Sequence, residues 1–264
     1  MDARDFYDDL VDLYDLIYVD WDAARRRHAQ AILSASGDVA ARRERPLRVL
    51  DVSAGIGTQS LPLAAAGLEV TARDLSPASV ARLDREARSR GLAIDTGVGD
   101  MRALDVGGPF DVVLSFDNSV PHLMDDDAIL EAFREARRVL ANDGRYLISV
   151  RDYGEVDRSP RSVHRYGERH REGRTFDVRQ DWEWIDADHY RTTMVLDEVL
   201  ESGPVERLRT PATYYAVEID RLLALLSEAG FEANVAEDVD FYQPILVGRK
   251  AGADARRGGG EGEG

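Results

Sequence analysis

Two glycines, Gly55 and Gly57, separate the apolar run Arg48-Val-Leu-Asp-Val52 from a helix-forming stretch, Thr58 to Ala66. The run shows no apolar/polar alternation, so it reads as a strand buried on both faces, as in a parallel sheet. Glycines at its carboxyl end let the backbone take positive φ and approach a ligand closely. In open α/β sheets ligands bind at that end of the strands. The loop is not a full dinucleotide fingerprint, because Ser60 stands where the third glycine would be. It is not a phosphate-binding P-loop either, since no Gly-Lys-Ser/Thr follows.

The pattern around this loop predicts an α/β fold. Strands are expected over 48–52, 69–74, 93–97, 110–115 and 145–150, with helices between them closed by Gly67 and Gly91. Ser76 before Pro77 reads as a helix N-cap, and Asn142-Asp-Gly144 as the turn before the fifth strand. Such alternation gives a parallel sheet with right-handed crossovers. After residue 150 the period changes to two, at Phe176 to Trp184 and Tyr190 to Leu196, with an extended stretch over 205–214. These read as an antiparallel insertion. A helix over 218–229 and strands over 232–237 and 242–250 close the sheet at seven strands, and two helices, 5–14 and 21–34, precede it. Residues 251–264 carry almost no apolar content and are expected to be disordered.

Composition narrows the chemistry. There is no cysteine, which removes disulfides, thiolate catalysis and zinc–cysteine sites, and the five histidines show no metal-binding spacing, so no metal is expected. The net charge of −16 argues against nucleic acid as a partner. No apolar run reaches the roughly 20 residues that span a bilayer, and the acidic start, Met1 to Leu10, is unlike a secretory signal, so a cytoplasmic location is expected. Lys250 is the only lysine. That bias fits a high-salt cytoplasm or a GC-rich genome equally.

Asp74 ends the second strand, 17 residues beyond Gly57. A carboxylate there can accept hydrogen bonds from both hydroxyls of a ribose, or simply cap the next helix. Asp100 and Met101 follow the third strand, placed to meet an adenine or to form an ordinary polar loop with one half-buried methionine. Arg151 leaves the fifth strand at the ligand edge, where a guanidinium binds a carboxylate through two parallel hydrogen bonds. The alternative is a surface pair with Asp152 or Glu155. Tyr214, Tyr215 and Tyr242 are open between pocket wall and core packing.

The segments LDVSAGIGT, VTARDLS, VGDMRAL, FDVVLSFDNSVPHL and GRYLISV together resemble the class I S-adenosylmethionine-dependent methyltransferases. The resemblance implies a doubly wound, mostly parallel seven-stranded Rossmann-like sheet and S-adenosyl-L-methionine as cofactor. It places Ala54, Gly55 and Gly57 by the methionine and ribose, Asp74 on the ribose, and Asp100 and Met101 on the adenine. A narrower resemblance rests on Tyr14-Asp-Leu-Ile-Tyr-Val-Asp-Trp-Asp22 with Arg25, on Phe116-Asp-Asn-Ser-Val-Pro-His122 and on Val150-Arg-Asp-Tyr153. These look like the glycine and glycine/sarcosine N-methyltransferases. By that likeness Tyr18 reaches the substrate and Arg25 the cofactor carboxylate. Phe116 and His122 lie near the cofactor, Asn118 lies near the substrate, and Arg151 holds the substrate carboxylate.

The implied organisation is one methyltransferase domain over 1–250. It comprises a helical lid (1–47), a cofactor-binding core (48–150), a substrate cover (151–215) and closing elements (216–250). The expected reaction is methyl transfer to a small carboxylate-bearing amine such as glycine or sarcosine, in the setting of betaine osmolyte synthesis. Another small amine or hydroxyl acceptor, an oxidoreductase and a non-catalytic cofactor binder are the competing readings. The cover's arginine-rich stretch, 157–174, reads as anion recognition or as solvated charge.

Overall fold

The computed structural model describes residues 3–252, so the tail expected to be disordered lies, from residue 253 on, outside the described residues. Helix α1 (Ala3–Leu10) runs into a 3-10 stretch (Val11–Ile17), and α2 (Trp21–Ser36) follows. The nucleotide-fold part contains β1 (Arg48–Asp51), α3 (Ser60–Ala65), β2 (Glu69–Asp74), α4 (Pro77–Ser89), β3 (Ile94–Val98), β4 (Phe110–Ser115), α5 (Asp126–Val139) and β5 (Leu140–Ser149). Four long strands come next: β6 (Arg161–Arg171), β7 (Arg174–Trp184), β8 (His189–Leu200) and β9 (Gly203–Tyr215). The chain then closes with α6 (Ile219–Glu228), β10 (Phe231–Val235) and β11 (Ile245–Lys250). Among the described residues no helix is long and apolar enough to cross a membrane.

Local chemistry sets the helix starts. Asp20, Ser76 and Asp125 each accept a backbone N–H from the first turn of α2, α4 and α5. Helix α5 also carries Asp126 and Asp127 at its start and Arg137 and Arg138 at its end, matching its dipole.

The seven-stranded sheet has the order β10-β11-β5-β4-β1-β2-β3. Strands β1 to β5 are mutually parallel, and β11 runs antiparallel to both β5 and β10. All six residues of β4 are buried, Asp111 among them because Arg43 and Arg45 pair with its carboxylate. The strand order reverses between β1 and β4. Their loops therefore diverge in opposite directions and leave a crevice at the carboxyl edge.

The second sheet, β6-β7-β8-β9, is antiparallel throughout. Phe176, Val178, Trp182, Tyr190, Met194 and Tyr214 on its inner face join one continuous core with α1 and the main sheet. The cover is thereby fixed over the carboxyl edge by apolar packing.

Two expectations change. The arginine-rich stretch contains β6, an edge strand of which only Arg169 is buried, so no apolar alternation announces it. Cross-strand pairs such as Arg161–Glu183 and Arg165–Asp177 stabilise it instead. Asn142-Asp-Gly144 does not precede β5 but interrupts it. Phe110 pairs with Leu140 and Val112 with Arg145, so the three residues bulge out within the strand.

Candidate active site

The glycine loop and Asp74 form one hydrogen-bonded unit. Asp74 accepts the Gly55 N–H on one oxygen (2.7 Å) and the Ser76 N–H on the other (2.9 Å). Burial pushes its carboxyl up, against the pull of those two donors. Each oxygen keeps a further lone pair for a ligand hydroxyl. Gly55 has φ +52°, and the space a Cβ would take there is open. Gly57 differs: its φ is +95°, and a Cβ would lie 2.4 Å from the Leu83 side chain, so it serves the packing of α4 against the loop. Asp51, at the end of β1, is fully buried and pushed up to about 7 by that burial, although Ser60 Oγ and the Ser53 N–H donate to it.

A narrow cleft of about 40 Å³ runs along this unit, lined by Ala54, Gly55, Asp74 and Phe116 on one side and by Tyr7 and Tyr14 on the other. The N-terminal segment supplies Tyr7 and Tyr14 to this lining and so covers the cleft. That segment is strapped down at both sides. Asp15 receives Arg82 from α4 (2.7 Å) and Arg171 from β6 (3.3 Å), and Asp8 accepts from Ser76 Oγ.

The remaining cofactor candidates, Arg25, Asp100, Met101 and His122, do not line this cleft. Arg25 stacks on Trp21 (4.5 Å), whose indole N–H donates to Thr58 of the loop (3.1 Å). Its guanidinium pairs with Asp22, and its buried Nε has no partner. Asp100 faces Arg102, which donates to both its oxygens and holds the carboxyl below its ordinary value. Met101 packs on the main core, and neither Asp100 nor Met101 lines the cleft. His122 is also absent from the cleft wall. Its Nε2 meets the Tyr7 hydroxyl (3.0 Å), its ring lies 4.1 Å from Tyr214, and burial pushes its pKa down to about 4, so it is neutral.

S-adenosylmethionine fits these groups by their chemistry. The open space at Gly55 admits close approach to backbone, Asp74 offers free lone pairs for ribose hydroxyls, and the orphaned Arg25 Nε is a donor for a carboxylate.

A second cavity, of about 390 Å³, opens beside the cleft. Its floor is the turn after β4. Asp117 and Asn118 are successive non-glycine residues at positive φ, +56° and +63°. A bracket to the end of β5 holds them there: Asp117 N–H donates to Ser149 Oγ and Asn118 N–H to Ser149 O. Strained backbone of this kind concentrates at functional sites.

Asn118 uses both ends of its amide within the protein. Its Nδ2 donates to the Tyr153 hydroxyl (2.8 Å), and its Oδ1 accepts the Arg151 N–H (3.0 Å). It lines the cavity itself, with a second Nδ2 hydrogen to give, and it also holds Arg151 and Tyr153 in place. Arg151 lies over the Trp182 ring at 4.5 Å and donates to the Tyr190 hydroxyl at 3.2 Å. No acidic side chain among the described residues pairs with it, so the surface pairs with Asp152 or Glu155 do not form. Tyr18 also lines the cavity and donates to Asp117 (2.9 Å). Tyr214 and Tyr242 are wall residues, whereas Tyr215 donates to Asp126 outside it. A third, outer cleft of about 420 Å³ shares Arg151, Tyr166 and Gln180 with the cavity.

Sequence reasoning missed Asp117 and His28. Asp117 collects hydrogen bonds from Tyr18, His28, Gln59 and Tyr242, residues up to 125 positions away. The two residues in αL leave no local signature, because neither is glycine.

Comparison with known proteins agrees with this geometry. Residues 49–144 match the methyltransferase domain family. The chain is 31% identical over 155 residues to a glycine/sarcosine N-methyltransferase of Parasynechococcus marenigrum, covering 58% of this chain and 53% of that one. A glycine/sarcosine N-methyltransferase of Halorhodospira halochloris is 27% identical over 167 residues, covering 62% and 60%. The chain thus spans between half and three-fifths of the length of these relatives. Among solved structures, the CcbJ methyltransferase from Streptomyces caelestis superposes with a TM-score of 0.74 at 20% identity, over 93% of this chain and 98% of that one.

Proposed function

From the premise that residues 49–144 form a methyltransferase domain, within a chain that has the class I S-adenosylmethionine-dependent methyltransferase fold, we propose an N-methyltransferase whose acceptor is a small amine bearing a carboxylate. Glycine and sarcosine are its first candidates, as the acceptors named in two relatives. The observation that carries this reading is Arg151: a half-buried guanidinium on the wall of the inner cavity, flanked by an aromatic ring and a phenol, with no acidic partner among the described residues. A buried cation without a counter-charge is costly, and an anionic ligand group supplies one.

When bound, the cofactor supplies an activated methyl group on a sulfonium. The protein's part is alignment and exclusion of water. Gly55 and Asp74 take the adenosine side, and Arg25 the methionine carboxylate. Arg151 anchors the acceptor carboxylate, and Asn118 holds Arg151 in place through its backbone. The N-terminal segment acts as the lid and the β6–β9 sheet as the substrate cover. The acidic composition is in keeping with a cytoplasmic role in osmolyte synthesis.

Methyl transfer from labelled S-adenosylmethionine to a panel of amino acids, amines and phenols tests the reading. Turnover confined to acceptors without a carboxylate would overturn it. With a carboxylate acceptor, Arg151→Ala should raise KM about 100-fold, the loss of a charge-assisted anchor, while the cofactor Kd by calorimetry stays unchanged. Arg151→Lys, which keeps charge but loses the planar fork, should fall between the two.

A further inference from the structure

His28 and Asp117 lie together beneath the site, and the anchoring scheme uses neither. Two contacts of the ring bear on where their protons are. His28 Nδ1 is 2.7 Å from the Ala24 carbonyl oxygen, which only accepts, so Nδ1 carries a hydrogen. Its Nε2 is 3.0 and 3.1 Å from the two oxygens of Asp117. With Asp117 ionised, and so only an acceptor, Nε2 donates as well, and the ring is then an imidazolium facing a carboxylate. Burial disfavours the ring's charge, but Asp117 outweighs it and holds the imidazole above its ordinary value. On Asp117 the upward push of burial is likewise outweighed, by His28 first and then by Tyr242 and Tyr18.

Other groups close the shell. Phe241 and Tyr242 face the ring from the loop before β11, Tyr18 from the N-terminal segment, and Asp51 acts from β1. Gln59 Nε2 donates to Asp117 from the glycine loop (3.0 Å), and Tyr14 and Tyr166 lie within its field.

Asp117 thus receives four donors: His28, Gln59, and the hydroxyls of Tyr18 and Tyr242. Four is about the capacity of a carboxylate. It has nothing left with which to take a proton from a substrate. Its effect passes through the tyrosines. A hydroxyl whose hydrogen is committed to a carboxylate presents only lone pairs elsewhere. Both tyrosines line the inner cavity, and Asp117 lies in the wall of both that cavity and the cofactor cleft. The committed oxygens therefore stand beside the junction of the two, where methyl donor and acceptor meet.

We propose that Asp117, backed by a protonated His28, is a positioning residue that makes the Tyr18 and Tyr242 oxygens hydrogen-bond acceptors for the N–H groups of the acceptor amine. Holding the acceptor's N–H groups on that side, two for glycine and one for sarcosine, leaves the nitrogen lone pair pointing away from the tyrosines. The lone pair forms the N–C bond as the C–S pair departs with sulfur, and the positive charge moves to a nitrogen that the same oxygens still hold. The proposal rests on the N-methyltransferase reading.

Asp117→Asn is the variant to test, because asparagine tolerates the left-handed backbone and keeps the shape of the side chain. Tyr242→Phe is the second, since the ring is 53% exposed and its hydroxyl can be removed without opening the core. Selective nitrogen-15 labelling of histidine at about pH 7.5 reads the His28 ring without substrate. Both ring nitrogens should be protonated in the wild type, and the Nε2 proton should be lost in Asp117→Asn. In that variant kcat for the amine should fall about 100-fold, the loss of oriented acceptors. In Tyr242→Phe, kcat/KM should fall about tenfold, one hydrogen bond's worth. Cofactor Kd should be unchanged in Tyr242→Phe, whose side chain does not line the cofactor cleft. A wild-type His28 with a bare Nε2, or an Asp117→Asn enzyme with wild-type kcat on an amine, overturns the proposal alone. A wild type that methylates hydroxyl acceptors and no amine overturns the N-methyltransferase reading and this proposal with it, while leaving the ring signature intact.

Discussion

At the scale of single residues, the two glycines of the loop should part under mutation. Gly57→Ala places a Cβ against Leu83 at a left-handed φ and should cost about 2 kcal/mol by urea denaturation. Gly55→Ala meets open space, so its cost is backbone strain alone, and its larger effect should be on cofactor affinity. Asp51 and His122 pull the pH dependence of stability in opposite directions. Asp51, at about 7 in the fold against 3.8 for the free side chain, binds more protons when folded, so its contribution is lost as pH rises from about 4 to 7. His122, at about 4 against 6.5, binds fewer protons when folded, so its contribution is lost as pH falls from about 6.5 to 4. Across its window Asp51 is worth about 4 kcal/mol at most and His122 about 3. His122→Gln should leave a curve that falls toward neutral pH, and Asp51→Asn one that falls toward acid, both read from thermal melts. Asp74, Gly55 and Arg151 were legible in the sequence because each stands at a strand end that periodicity alone locates. His28 and Asp117 were not, since their pairing is made by the fold across 89 positions.

At the scale of elements, the N-terminal strap is fastened through Asp15, which joins α4 to β6 across it. Asp15 and Arg82 are largely shielded, so Asp15→Ala leaves a guanidinium short of its partner and should lower Tm. It should speed amide exchange over residues 3–17 and raise the cofactor dissociation rate several-fold, by hydrogen-exchange mass spectrometry and stopped-flow. An unaltered dissociation rate would show that cofactor exchange does not need the strap to lift. The strap's helices were visible beforehand as polar stretches with spaced aromatics. Its attachment was not, because Arg171 lies in a strand whose sequence looks like a solvated charge run. Strand β6 shows why such runs mislead: an edge strand can be held by cross-strand ion pairs and one buried arginine, and then period two never appears in its apolar residues.

At the scale of the whole molecule, the net charge of −16 sets a self-repulsion that salt screens. Tm should rise by several degrees as sodium chloride goes from about 20 mM to about 0.5 M, despite the loss of surface pairs. The doubly wound order was readable from the alternation of strands and helices, since few topologies satisfy it. How the second sheet packs over the first was not, because that depends on aromatic side chains meeting from distant strands. One result of that packing concerns traffic. The inner cavity and the outer cleft share Arg151, Tyr166 and Gln180 in their walls, whereas the cofactor cleft lies under Tyr7 and Tyr14 of the strap. On the proposed reaction, methylated product and spent cofactor would therefore have separate ways out, one past Arg151 and one beneath the strap.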